Sequence, residues 1–105
     1  HIASATDIKE SVKVGQAAVK AAISGKSEVM MCIERKETKS GAYTSSVTSS
    51  AIYGIANKIK YVPDEFINAE GNNVTDECLD YILPLIEGET KVKYVSGLPA
   101  HYVIK

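Results

Sequence analysis

One stretch, Glu28-Val29-Met30-Met31-Cys32-Ile33-Glu34-Arg35, constrains the fold more than any other. Residues 29–33 are all apolar and the ends are charged. A strand with one wet face alternates apolar and polar side chains. An unbroken apolar run instead signals a strand buried on both faces, as in the parallel sheets of α/β proteins. Such a strand needs neighbours on both sides, and the sequence offers no second run of this kind.

What precedes the run fits the same class. Residues 6–24 read as an amphipathic helix, because Ile8, Val12, Val19 and Ile23 recur at spacings of four and seven. Lys9, Glu10, Lys13 and Lys20 occupy the other faces. Asp7 and Glu10 have capping-box spacing, with Ser4 and Thr6 as rival N-caps. Gly25 suits a left-handed C′ position. Gly15, Ala17 and Ala18 are small enough to let another backbone approach closely. Helix, glycine turn and buried strand make half of an α/β repeat.

After the strand, residues 36–46 form a polar loop that cannot build a core. A second extended stretch is expected from Tyr43 to Thr48. Ser50 then caps a short helix over 51–58, with Ile52, Ile55 and Ile59 on one face. Pro63 holds Val62 extended. Gly71, Asn72 and Asn73 mark a turn. Thr75 begins a helix over 75–87, whose apolar face is Cys78, Leu79, Ile82, Leu83 and Ile86. Pro84 kinks or ends that helix, since its ring meets the carbonyl of Asp80. From Val92 to Ile104 the chain is a strand-like tail broken by Gly97 and Pro99. The expected architecture is one α/β piece, residues 1–105: helix, strand, hairpin, helix and extended tail. The first and last residues, starting without Met and ending in an apolar run, give the expectation of a piece taken from a longer chain.

Composition narrows the function classes. Twelve basic residues face thirteen acidic ones, so no basic excess argues for nucleic acid or an anionic membrane surface. No apolar run approaches the roughly 18 residues of a membrane span. No signal peptide is visible, and Cys32 and Cys78 read as reduced thiols of a cytoplasmic protein.

Chemistry is scarce. Neither glycine-rich phosphate-loop motif occurs. His1 and His101 have no metal-ligand spacing around them, and a zinc site takes about three or four ligands. Asp76 and Asp80 share a helix face, where Asp76, Glu77 and Asp80 serve to offset the helix dipole. Asp64 and Glu65 belong to a turn after Pro63. Ser45, Ser46, Ser49 and Ser50 have no partner base and read as loop and cap residues. The sequon Asn73-Val74-Thr75 is better explained by Thr75 as a helix cap. Arg35, the sole arginine, ends the buried strand. Ligands of open α/β sheets bind beyond strand carboxyl ends, so Arg35 is a phosphate candidate, although a flanking surface cation is the plainer reading.

Five segments together resemble the long bacterial type of 6-phosphofructokinase. They are Ala3-Ser4-Ala5-Thr6-Asp7 leading into Val14-Gly15-Gln16-Ala17-Ala18; the strand ending Glu34-Arg35; and Ile55-Ala56-Asn57-Lys58 with Val62-Pro63 and Phe66-Ile67-Asn68. Glu70-Gly71-Asn72-Asn73-Val74-Thr75 follows, then Asp80-Tyr81 with Pro84-Leu85-Ile86, Gly88-Glu89 and Gly97-Leu98-Pro99. They run in family order over nearly the whole chain, and their combination is more specific than any one of them. The Ser/Thr-rich stretch 40–50 departs from the family pattern.

The resemblance implies a C-terminal piece of a Rossmann-like phosphofructokinase lobe, in which strand 28–35 is one member of a larger sheet. It implies a parent enzyme that phosphorylates the 1-hydroxyl of fructose 6-phosphate from ATP or pyrophosphate, with magnesium. It further implies a cytoplasmic homo-oligomer and, as this piece's partner, the rest of the parent chain. The family's donor site, its aspartate base and its sugar-phosphate segments have no counterpart here. No catalytic, substrate-binding or metal residue is therefore assigned, no cofactor is expected on the piece itself, and the piece alone is expected to be inactive. The competing expectation is a non-enzymatic interaction or oligomerisation module.

Overall fold

Ser4 starts the first helix. Its Oγ accepts from the Asp7 amide at 3.0 Å while its own hydroxyl donates to the Leu85 carbonyl at 2.7 Å. The computed structural model describes residues 3–36 and 38–101. In it α1 spans Ala5–Ile23, one residue from the expected bounds at each end. Of the two rival caps, Ser4 is the one used. The helix stops in a Schellman arrangement: the Lys26 amide donates to the Ala21 carbonyl and the Gly25 amide to Ala22, both at 3.0 Å, with Gly25 at φ 79°. Only glycine holds that angle without a Cβ clash.

The strand after it, β1, spans Val29–Lys36 and pairs antiparallel with β2, Thr44–Ala51, from Val29↔Ala51 to Lys36↔Thr44. This corrects the reading of a buried strand in a parallel sheet. Among the described residues β1 has one neighbour, and that neighbour is antiparallel. Met30 is 43% exposed and Ile33 46%. The apolar run is present, and the described residues cover it only in part.

The extended stretch expected from Tyr43 to Thr48 is part of β2, and Ser45, Ser46, Ser49 and Ser50, read as loop and cap residues, are all strand residues that face Arg35, Glu34, Met31 and Met30 across the ladder. The helix expected over 51–58 does not form. Its first residues extend the ladder instead, since the Ile52 amide donates to the Glu28 carbonyl at 2.9 Å. What remains is a 3-10 turn at Ile52–Gly54, and Asn57, at φ 59°, turns the chain away. A strand already paired to β1 outweighs the three-and-four spacing of isoleucines.

The last helix is shorter than 75–87. The α-helix α2 spans Asp76–Ile82 and tightens into a 3-10 segment, Leu83–Ile86, that contains Pro84. Proline cannot donate back into the ladder, so the α form ends just before it. Thr75 holds the N-cap position but caps nothing with its side chain, which donates to the Glu65 carbonyl at 2.6 Å. The chain then folds back on α1: the Ala5 amide donates to the Gly88 carbonyl at 3.0 Å and the Thr6 amide to Glu87 at 3.3 Å. A Cβ on Gly88, at φ 86°, would lie 2.6 Å from the Ala5 Cβ. The tail forms a small hairpin, β3 (Tyr94–Val95) with β4 (Leu98–Pro99), turning on Ser96 and Gly97, both at positive φ. Its expected continuation over 102–104 lies outside the described residues.

The core is thin. Among the described residues Cys78 is the only buried apolar side chain. Accessible surface is 9283 Å², whereas a compact monomer of 11.3 kDa exposes about 5,700 Å². The Cα radius of gyration is 17.7 Å against about 13 Å for a compact chain of this length. No described helix is long and apolar enough to cross a membrane.

Candidate functional site

Arg35, the phosphate candidate, stands at the end of β1, and the fold surrounds it with aromatic rings. Its guanidinium lies 4.9 Å from the Tyr81 ring centroid and 5.2 Å from that of Tyr43. One Nη donates to the Tyr81 carbonyl at 2.8 Å. Tyr81 in turn packs on Phe66, with centroids 5.4 Å apart and the planes 44° from each other. A planar, weakly hydrated guanidinium suits such a sandwich better than a compact, strongly hydrated ammonium. Arg35 therefore ties β1 to α2 and to the loop before β2.

The other ring carries the tie on to α1. The Tyr43 hydroxyl donates to Glu10 Oε1 at 2.5 Å, and Glu10 is one of two buried polar residues among those described. Burial raises the Tyr43 hydroxyl above its ordinary pKa of 10.0, and the hydrogen bond and charge of Glu10 push the same way; Ser45 and Arg35 partly offset them. Glu10 thus serves a contact across the fold rather than the capping box. Sequence reasoning missed the Glu10–Tyr43 pair, because nothing local links residues 33 positions apart.

An open cavity of about 280 Å³ lies beside this cluster, lined by Arg35, Lys36, Thr38, Gly41, Ala42 and Tyr43. Lys36 reaches Glu34 at 3.3 Å in an exposed pair, and the Thr38 hydroxyl donates to the Ala42 carbonyl at 2.8 Å. Among the described residues the cavity's walls carry cations and hydroxyls but no carboxylate or imidazole.

The remaining candidates stay apart. Asp76, Glu77 and Asp80 are exposed on α2. Among the described residues no group of three or more His, Cys, Asp or Glu side chains comes together as a metal site. His101 is exposed and His1 lies outside the described residues. Cys32 and Cys78 are free thiols, the first half-buried and the second buried. In the sequon, the Thr75 hydroxyl is engaged by Glu65 and Asn73 Oδ1 accepts from the Val74 amide at 2.9 Å.

No family model matches the chain. Individual relatives do. The pyrophosphate–fructose 6-phosphate 1-phosphotransferase of Methylococcus capsulatus is 40% identical over 104 residues, which is 99% of this chain and 24% of that protein. The protein of the same name from Xanthomonas campestris pv. campestris is 34% identical over 106 residues, 100% of this chain and 25% of that one. Among solved structures, the pyrophosphate-dependent phosphofructokinase of Nitrosospira multiformis superposes with a TM-score of 0.85 at 42% identity, over 94% of this chain and 24% of that one. The one from Marinobacter aquaeolei gives 0.85 at 39% identity, over 95% and 25%. The α/β fold is thus that of the matched portion of these enzymes. The chain spans about a quarter of the length of the curated relatives it matches.

Proposed function

We propose that this chain is the C-terminal segment of a pyrophosphate-dependent 6-phosphofructokinase, a part that shapes the enzyme while the transfer chemistry is done elsewhere. The observation that carries this reading is similarity over 99% of the chain to a pyrophosphate–fructose 6-phosphate 1-phosphotransferase, joined to a TM-score of 0.85 on a pyrophosphate-dependent phosphofructokinase. The donor, open between ATP and pyrophosphate from residues alone, is taken as pyrophosphate because the relatives bear that name.

The parent would move a phosphoryl group from pyrophosphate to the 1-hydroxyl of fructose 6-phosphate. Such transfer rests on positioning and on stabilising the charge of the moving group. Magnesium, where the parent uses it, would supply part of that stabilisation and would be held by residues outside this chain. Within the chain, the Arg35–Tyr81 and Tyr43–Glu10 contacts act on shape: they lock α1, β1 and α2 into one unit. Cytoplasmic location and homo-oligomeric assembly of the parent belong to the same proposal.

A direct test incubates the purified chain with fructose 6-phosphate, magnesium and either donor. No fructose 1,6-bisphosphate is expected with pyrophosphate or with ATP. Turnover that tracks the purified chain through a sizing column would sink the reading.

The second reading, a non-enzymatic docking module, draws on the exposed apolar side chains, among them Ile23 at 82% and Ile59 at 77%. The reading frame that carries the chain separates the two. A donor site encoded upstream supports the enzyme, and a start codon immediately before His1 supports the module.

A further inference from the structure

Arg35 is held in place without being neutralised. The Tyr43 and Tyr81 rings take the two faces of its guanidinium plane. One Nη donates to the Tyr81 carbonyl. A guanidinium carries five N–H donors along its edge, and among the described residues that carbonyl is the one acceptor it engages. No described carboxylate lies within ion-pair distance of it, since the one ion pair among the described residues joins Lys36 to Glu34. Clasping β1 to α2 therefore accounts for the faces of Arg35 and one donor, and leaves its charge and most of its edge unused.

The open cavity of about 280 Å³ at the end of β1 gathers what could use them. Arg35 and Lys36 both stand in its walls, with Thr38, Gly41, Ala42 and Tyr43, and none of these is a carboxylate. The loop that closes it is tied to itself: the Thr38 hydroxyl donates to the Ala42 carbonyl at 2.8 Å and the Gly41 amide to the Thr38 carbonyl at 3.0 Å. Lys36 is about half exposed and meets Glu34 at 3.3 Å. Exposed pairs of that kind contribute little, so Lys36 can turn to a better anion. The volume falls just below the roughly 300–1,000 Å³ of pockets that enclose drug-sized ligands. It suits one oxyanion group on a small carrier and is too small for a nucleotide.

The geometry points to an anion site in this cavity, for the phosphoryl group of inorganic phosphate or of a small phosphorylated metabolite. The forked edge of Arg35 would meet two of its oxygens and Lys36, as a point charge, a third. A carboxylate would satisfy the fork but has no third oxygen for Lys36. The two rings have already fixed the Arg35 side chain, so binding does not have to order it. The site stands on the chain's own side chains and does not rest on the proposed function.

The test sets this chain in place of the matched quarter of the Nitrosospira multiformis enzyme and compares that graft with its Lys36→Gln and Glu34→Gln variants. All three share whatever phosphate sites the host has, so differences among them belong to the cavity. Both altered side chains are about half exposed, and the urea midpoint should stay where it was. Amide hydrogen exchange over residues 38–43 is read against inorganic phosphate, with potassium chloride at matched ionic strength as the blank and glycerol 3-phosphate as a second arm. Exchange should slow and saturate with phosphate and not with chloride. Lys36→Gln should raise the half-saturating concentration about fivefold, the upper end for an exposed charge pair, and Glu34→Gln, which releases Lys36, should lower it. A tighter response to glycerol 3-phosphate assigns the site to a metabolite and an equal one to free phosphate; both uphold it. No slowing, equal slowing by chloride, or one half-saturating concentration for all three proteins overturns the inference. So does a shift of both variants in the same direction, because loss of the Lys36–Glu34 pair alone would produce that. A graft that responds to phosphate but turns over nothing upholds the site and counts against the functional reading instead.

Discussion

Taken by itself, the chain carries a deficit that can be sized from its surface. It exposes 9283 Å², and the surplus over a compact monomer is about 3,600 Å². If somewhat over half of that is apolar, as on ordinary protein surfaces, about 2,000 Å² of hydrophobic area stays wet. At about 25 cal/mol per Å² this forgoes roughly 50 kcal/mol of burial. A realistic unfolded chain already hides part of its surface, which cuts the figure to between about 30 and 45 kcal/mol. Net stabilities of whole domains are only about 5–15 kcal/mol, so the shortfall exceeds any net stability a domain of this size has. The chain alone should therefore lack cooperative tertiary structure while keeping local helix. Small-angle scattering, near-ultraviolet dichroism of its tyrosines and a urea titration check this. The expected outcome is a radius of gyration near or above 17.7 Å, weak near-ultraviolet signal and a broad transition. A monomer with a radius near 13 Å and a sharp two-state transition would refute the reasoning.

Three further outcomes are expected when this chain replaces the matched quarter of the Nitrosospira multiformis enzyme, where it is held in place. Gly88→Ala should cost about 3 kcal/mol, from the positive φ and from a Cβ 2.6 Å from that of Ala5, read as a lowered urea midpoint. Arg35→Lys should cost about 1–2 kcal/mol, because an ammonium cannot stack between Tyr43 and Tyr81 while reaching the Tyr81 carbonyl; a change under about 0.3 kcal/mol would show the clasp to be idle. For Tyr43 the sign follows from its raised pKa. The hydroxyl contributes stability that is fully present below the ordinary value of 10.0 and lost as pH climbs through the raised one. Stability against pH in the alkaline range should accordingly be flatter in Tyr43→Phe than in the parent.

How much of this was legible in the sequence depends on the range of the forces involved. Helix α1 was readable because its periodicity, its Ser4 cap and its Gly25 stop are all local. The shortening at Pro84 was readable for the same reason. β1 was placed correctly, yet its partner was not, since an apolar run reports burial and says nothing of which strand provides it. Residues 52–59 misled because isoleucines spaced for a helix were overruled by a ladder bond from Ile52 to Glu28. Arg35 was singled out from its position at a strand end. Its engagement by Tyr43 and Tyr81 was invisible, because Tyr81 comes from 46 residues away and stacking leaves no mark on local spacing. On the proposed reading, the thin core and the lack of a poised site among the described residues share a cause: a chain that spans about a quarter of its relatives' length shows the strands and helices it owns but not the surfaces they meet.

The decisive measurement is the activity of the Nitrosospira multiformis enzyme with its matched quarter replaced by this chain, assayed for fructose 6-phosphate phosphorylation with pyrophosphate and with ATP. A working segment of a pyrophosphate-dependent phosphofructokinase should give a folded graft with pyrophosphate-dependent turnover within about tenfold of the unmodified enzyme, a change of roughly 1.4 kcal/mol in the barrier. A graft that folds and yet turns over nothing with pyrophosphate would contradict that assignment.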